Sequence, residues 1–326
     1  MGRVVFLNTF ANTEFTGGIK TTYRHAAMLN EEGIEASILQ PGGPPLLLKD
    51  PVQRALARDS EPVNADDVVV YPEALNGWFG ESINQKWPCT KIMFCQNPFY
   101  LYSYEITKKK LQDWKIERII VPSQWAKESV RSVIGFDDVK VVTPIVDTKL
   151  FYPRPKELKI ISASWKWSNH PVISSYGELV RKILVSKYPS LSDIPWVDLK
   201  GYTEEEVATL MGEAAVCLVL GAAEALGLTA LEAMASECVV VGFHGAGGLD
   251  FATPRNGFWH SPEDIEGVVD SLALAVEGHK HQLELIRTIC RNGRQTACYY
   301  NSDRTRANLK QSYQDLLYQR HSLTHL

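Results

Sequence analysis

Short aliphatic and β-branched runs alternate along this chain with segments whose apolar residues recur every three or four positions. In the first half the runs are Val4–Leu7, Glu35–Leu39, Val68–Tyr71, Lys91–Cys95, Arg118–Val121 and Val139–Val142. Ile19 to Asn30 and Gln124 to Ile134 carry helical spacing between them. Strands that are apolar throughout and separated by helices predict a parallel sheet covered on both faces. The pattern then restarts. Strands are expected at Lys159–Ala163, Trp196–Leu199, Val216–Leu220 and Cys238–Phe243, with helices at Val172–Ser186, Glu204–Glu213 and Thr229–Ser236. From Glu263 onward the spacing is nearly all helical and ends in a helix over Asp303–Tyr318. The seam is Phe151-Tyr-Pro-Arg-Pro-Lys156, where two prolines interrupt the periodicity. The expectation is therefore an α/β protein with two Rossmann-like domains, residues 1–152 and 153–300, facing a central cleft. Residues 301–326 form a final helix.

Composition narrows the classes without naming one. Of 326 residues, 45% are hydrophobic and 22% charged, which excludes a disordered chain. A net charge of -4 gives no argument for nucleic acid as a partner. The longest apolar stretch, Ala214 to Ala223, is about half the roughly 20 residues of a membrane span. Met1-Gly-Arg-Val-Val-Phe6 runs straight into a strand with no signal-peptide pattern. Cys89, Cys95, Cys217, Cys238, Cys290 and Cys298 form no CxxC pair and sit mostly in apolar runs, as reduced core thiols of a cytoplasmic protein would.

Candidate chemistry concentrates in Gly221-Ala-Ala-Glu-Ala-Leu-Gly-Leu-Thr-Ala-Leu-Glu-Ala-Met234. A buried strand ends, a loop follows and a helix begins near Leu228. In an open α/β sheet such a loop lies where ligands bind. The amides of Gly227, Leu228 and Thr229 would point out of the helix N-terminus and suit a phosphate. Glu224 and Glu232 flank them, and carboxylates accept well from sugar hydroxyls. Residue by residue, an acidic loop and a solvated helical glutamate fit equally well.

Here the sequence resembles a known family. Glu224-Ala-Leu-Gly-Leu-Thr-Ala-Leu-Glu232 is similar to the Glu-x7-Glu motif of retaining glycosyltransferases of the GT-B fold, family-4 type (glycosyl transferases group 1). Thr16-Gly-Gly-Ile19 resembles that family's N-terminal glycine loop. Val121-Pro-Ser-Gln-Trp-Ala-Lys-Glu128 and Val146-Asp-Thr-Lys-Leu-Phe-Tyr-Pro153 resemble its approach to the interdomain linker. Gly201-Tyr-Thr-Glu-Glu-Glu206, Gly247-Gly248 and Asn256-Gly-Phe258 follow in family order. Each motif is weak alone; their joint order over nearly the whole chain is not.

The resemblance implies a retaining transfer of a hexosyl- or deoxyhexosyl-type sugar from a nucleotide-diphosphate sugar to a glycan or other hydroxyl acceptor, with no cofactor; no carboxylate cluster in the sequence looks like a metal site, so the transfer is expected to be metal-independent. By the resemblance, Glu232 holds the ribose and Glu224 the transferred sugar. Gly227, Leu228 and Thr229 bind the distal phosphate, and Tyr202 sits beside the base. Gly17 and Gly18 close over a phosphate or the sugar. The final helix crosses back to the first domain.

Two departures keep an alternative open, a catalytically silent GT-B-like partner subunit. The family's Gly-Arg and Lys-Gly cations are replaced by Ile161-Ser-Ala-Ser-Trp-Lys-Trp-Ser-Asn-His-Pro171. That leaves Lys166 as the expected cation and His170 as a weaker one. The family's His-Asp is replaced by Gln96-Asn97. A glutamine orients a substrate but cannot act as acid or base. A nicotinamide enzyme is disfavoured, because Gly245-Ala-Gly247 continues to Asp250 where a dinucleotide fingerprint needs its third glycine. Phe99-Tyr-Leu-Tyr-Ser-Tyr104 with Lys108-Lys-Lys110 mixes aromatics with cations, which suits a solvated helix end or a weak contact with an anionic membrane surface.

Overall fold

The computed structural model describes residues 2–74, 82–83, 87–163 and 176–319. They fall into two compact units. One runs to Pro144 and resumes at Asp303; the other is Ile145–Ser302.

The first unit is built on β1 (Val4–Leu7), β2 (Ala36–Leu39), β3 (Ala57–Arg58), β4 (Val68–Pro72), β5 (Thr90–Phe94), β6 (Ile116–Val121) and β7 (Val139–Val141). Their order is β3-β2-β1-β4-β5-β6-β7, and every pairing is parallel. Each residue of β1, β2 and β5 is buried, so the continuous apolar runs reflect cover on both faces. The strand order reverses between β1 and β4, which makes that gap the topological switch point. At the ends of β1 and β2, Gln40 Oε1 accepts from Asn8 Nδ2 (2.9 Å) and from Tyr23 OH (2.7 Å). This buried network anchors the segment that leads to the helix Gly17–Glu31.

The second unit contains β8 (Glu157–Ser162), β9 (Trp196–Asp198), β10 (Ala214–Val219), β11 (Val239–Phe243) and β12 (Phe258–His260). The order is β12-β11-β10-β8-β9, again parallel throughout, with the switch point between β8 and β10. Lys156 Nζ donates to the carbonyls of Met211 (3.2 Å), Ala214 (2.9 Å) and Ser236 (2.6 Å). It thereby ties down the ends of two helices, Glu204–Glu213 and Leu228–Ala235.

The boundary differs from the one expected at 152/153. Phe151 is 1% exposed and packs with Ile161 and Met211, and Lys156 is held by second-unit carbonyls. Prolines mark that stretch, but its apolar and amine groups are satisfied only inside the second unit, so the unit begins at Ile145. The final helix, Ser302–Gln319, packs from Asp303 onward in the first unit. Buried Arg118 donates to both carboxylate oxygens of Asp315 (2.6 and 2.8 Å) and to the Ser312 carbonyl (2.6 Å). The helix expected over Val172–Ser186 is seen at Tyr176–Lys187; residues 172–175 lie outside the described residues. All cysteines are unpaired, and five are buried; Cys298, the last residue of the helix Glu284–Cys298, is exposed rather than in the core. Among the described residues no helix is long and apolar enough to cross a membrane.

Candidate functional site

At the carboxyl ends of β8, β10 and β11 the second unit forms a recess. Ala163 follows β8, Leu220 and Gly221 follow β10, and His244 follows β11. Gly227, Thr229 and Ala230 contribute the start of the helix Leu228–Ala235, and Glu224 lies on the loop between. Gly227 has φ +91°, a left-handed conformation that glycine adopts at no steric cost, and it turns the chain into the helix. Helix geometry leaves the N–H groups of Leu228 and Thr229 without an intrahelical acceptor. With the aligned peptide dipoles they give this end of the helix a positive partial charge beside the switch point.

The loop carrying Glu224 is braced from behind. The Gly247 N–H donates to the Glu224 carbonyl (2.7 Å). A Cβ on Gly247 would fall 1.8 Å from the Ala225 oxygen, so only glycine lets the two backbones meet. The Glu224 side chain folds back over Gly221, where a Cβ would lie 2.8 Å from Glu224 Cγ.

The sequence-predicted residues divide accordingly. Glu224, Gly227 and Thr229 line the recess together. The Leu228 side chain packs on the core, so its amide is what it offers. Glu232 is half-buried one turn further along the helix and is not part of the recess lining. Tyr202, 45% exposed, precedes Thr203, which caps the helix Glu204–Glu213 in a reciprocal box with Glu206. Lys166 and His170 lie outside the described residues. Among the described residues no group of three His, Cys, Asp or Glu is placed to hold a metal ion.

Gly17, Gly18 and Gln96 belong to the first unit. Thr16 caps the helix Gly17–Glu31 by accepting from the Ile19 N–H (3.3 Å). Gln96, just beyond β5, donates from Nε2 to the Gly18 carbonyl (3.1 Å). A Cβ on Gly18 would stand 3.1 Å from that nitrogen, whereas one on Gly17 would meet nothing within 4 Å. Of the two, Gly18 is the one where a side chain would crowd the Gln96 carboxamide.

Two residues escaped the sequence reading. Glu73, the residue after β4, is 6% exposed, and its Oε1 accepts from the Gln96 and Asn97 N–H groups (3.1 Å each). Burial pushes its carboxyl up to about 7, against those hydrogen bonds, which pull it down. His244 lines the second-unit recess, with Nδ1 against the Gly245 carbonyl. Each is the first titratable residue after a parallel strand, which was the available signal. In the aromatic and basic segment, Phe99 stacks on Trp125, while Tyr100 and Tyr104 are exposed ahead of the helix Lys108–Asp113.

Residues 195–292, which include every recess-lining residue named above except Ala163, match the family described as glycosyl transferases group 1. An α-1,6-glucosyltransferase of Actinobacillus pleuropneumoniae serotype 7 (strain AP76) is 27% identical over 248 residues, 72% of this chain and 71% of that protein. Among solved structures, sucrose-phosphate synthase from Thermosynechococcus elongatus aligns over 97% of this chain and 99% of its own, with a TM-score of 0.68 at 15% identity. HepE of Anabaena, solved in complex with UDP, aligns over 99% of this chain and 100% of its own, with a TM-score of 0.62 at 14% identity.

Proposed function

We propose that this chain, which has the GT-B fold and matches the glycosyl transferases group 1 family over residues 195–292, is a glycosyltransferase of that family and transfers a hexosyl or deoxyhexosyl group from a nucleotide-diphosphate sugar to a hydroxyl acceptor, with retention and without a divalent metal. The observation that carries this reading is the second-unit recess. It joins a helix N-terminus opened by a left-handed Gly227 to a carboxylate, Glu224, on a loop clamped by Gly247.

The chemical demand is the leaving nucleotide diphosphate, which gains charge as the glycosidic bond breaks. The amides of Leu228 and Thr229 meet that charge, and Lys166 adds a cation. Glu224 accepts from hydroxyls of the transferred sugar, and Glu232 from the ribose. Tyr202 lies beside the base. In the first unit Gly18 and Gln96 face the sugar or the acceptor. The similarity to an α-1,6-glucosyltransferase supports a hexosyl donor and a glycan acceptor, and favours an active enzyme over a silent subunit. A cytoplasmic enzyme with weak contact to an anionic membrane surface through Phe99–Lys110 completes the proposal. Cosedimentation with anionic vesicles tests that last part, and equal recovery with neutral vesicles refutes it.

Thermal shift against UDP-, GDP-, ADP- and dTDP-sugars in chelator tests the donor. A ligand at 100 times its dissociation constant adds about 2.7 kcal/mol to stability, so the true donor raises Tm visibly. No shift with any donor in chelator, followed by a shift on adding magnesium, would refute metal independence.

A further inference from the structure

Outside the donor recess, the most heavily buried acid at the carboxyl end of either sheet is Glu73. It stands at the end of β4, on one side of the first sheet's switch point, and the loop after β1 that leads to Gly17 and Gly18 stands on the other. Ligands of open α/β sheets bind in that gap. A single carboxylate oxygen of Glu73 takes two consecutive backbone N–H groups, those of Gln96 and Asn97. Asn97 in turn caps the helix Pro98–Ser103 by accepting from the Phe99 N–H (3.1 Å). Gln96 then spans to the glycine loop through Nε2. Because the Gly18 carbonyl can only accept, it fixes which way the carboxamide faces. Oε1 of Gln96 is turned away from that carbonyl, and among the described residues no hydrogen bond is made to it. Asparagine or threonine could tie the same turn without burying a carboxyl, so a glutamate here carries a desolvation cost that folding alone does not require.

We propose that Glu73 is the positioning residue of the first unit's substrate site: it holds the Gln96–Asn97 turn so that the Gln96 carboxamide, steadied on Gly18, offers Oε1 to a hydroxyl of the acceptor or of the transferred sugar. The chain of contacts is Glu73 carboxylate, Gln96 backbone, Gln96 side chain, Gly18 carbonyl. It links β4, β5 and the loop after β1 in one network, whose members should not act independently. Glu73 touches no substrate in this scheme and acts through Gln96.

This inference rests on the glycosyltransferase reading, and the test keeps the two apart. Steady-state transfer is measured for wild type, Glu73→Ala, Glu73→Gln, Gln96→Ala and the Glu73→Ala/Gln96→Ala double variant, and nucleotide binding by calorimetry for each. Glu73→Ala should lower kcat/KM for acceptor tenfold or more while leaving the nucleotide dissociation constant within about twofold. Glu73→Gln should recover most of the loss, since its carbonyl accepts the same two N–H groups. The double variant should be no worse than Gln96→Ala alone. Additive losses, a Gln variant as impaired as Ala, or unchanged acceptor kinetics would each overturn the role. If Glu73→Ala does not fold, Gly18→Ala probes the same network with Glu73 intact. Its Cβ presses on Gln96 Nε2, and it should raise acceptor KM with nucleotide affinity kept; unchanged acceptor kinetics would overturn the role here too. A wild type that binds no nucleotide sinks the glycosyltransferase reading itself, and the role with it; intact binding with additive kinetics sinks only the role of Glu73.

Discussion

At the carboxyl end of the second sheet the site is made mostly of backbone: a left-handed glycine, the open amides of a helix and a loop pressed against Gly247. At the carboxyl end of the first sheet it is made of side chains: a buried carboxyl, a carboxamide and the carbonyl it rests on. Both sheets are parallel and both place their chemistry at a switch point. The difference follows from what each is proposed to hold. A diphosphate asks for fixed positive dipoles, which any helix start supplies once glycine makes room. A sugar acceptor asks for hydroxyl recognition, which only particular side chains supply. The first sheet's end also buries a carboxyl, Glu73, which that burial pushes up to about 7.

That contrast predicts its largest effect at Glu73. Its folded pKa, about 7, lies above the ordinary 4.5. Between those values the folded chain binds more protons than the unfolded one, so stability falls as pH rises through this window and is flat beyond it. Glu73→Gln removes the titration. At pH 8 it should stabilise by up to about 3 kcal/mol, with the gain vanishing near pH 4.5. Urea unfolding at both pH values checks this, and a pH-independent difference would contradict it. The buried Cys95 thiol beside it, itself pushed up by burial and by Glu73, stays neutral across the range.

Next comes Glu232. Loss of a charged hydrogen bond to ribose costs roughly 1.5–3 kcal/mol, about ten- to a hundredfold in nucleotide affinity. Glu224→Ala should instead lower turnover more than nucleotide binding. Titration with the bare nucleotide separates them, and equal affinity in wild type and Glu232→Ala would remove Glu232 from the ribose. Gly247→Ala should cost about 1–3 kcal/mol of stability by overpacking against Ala225 and weaken donor binding with it. Denaturant unfolding together with donor titration reads both. A variant as stable as wild type would mean that the loop has slack. The smallest effect belongs to the exposed tether of the final helix, Arg306 with Glu31 (2.6 Å). Glu31→Ala should change stability by less than about 1 kcal/mol, and a larger loss would show that this pair, rather than buried Arg118, holds the helix.

The contrast also explains what was legible. Strands buried on both faces announce themselves as apolar runs, so β1 is seen where expected and its neighbours within a few residues. β3, two residues at the sheet edge, and β12 carry too little pattern, because pairing rather than composition makes them strands. The backbone-built site was readable because glycines and two glutamates at fixed spacing leave a mark. Glu73 and His244 leave only their place after a strand end. A lone acid after a strand becomes notable only once its burial is known. The proline-marked seam misled for the same reason, since Phe151 and Lys156 have partners that lie far along the chain.

The central claim is that the helix beginning at Leu228 receives the diphosphate. Amide NMR of the intact chain, titrated with a nucleoside diphosphate and separately with its nucleoside, addresses it most directly. The account predicts large shifts of the Gly227, Leu228 and Thr229 amides with the diphosphate, and much smaller ones with the nucleoside. Saturable diphosphate binding that leaves those three amides unmoved would contradict it.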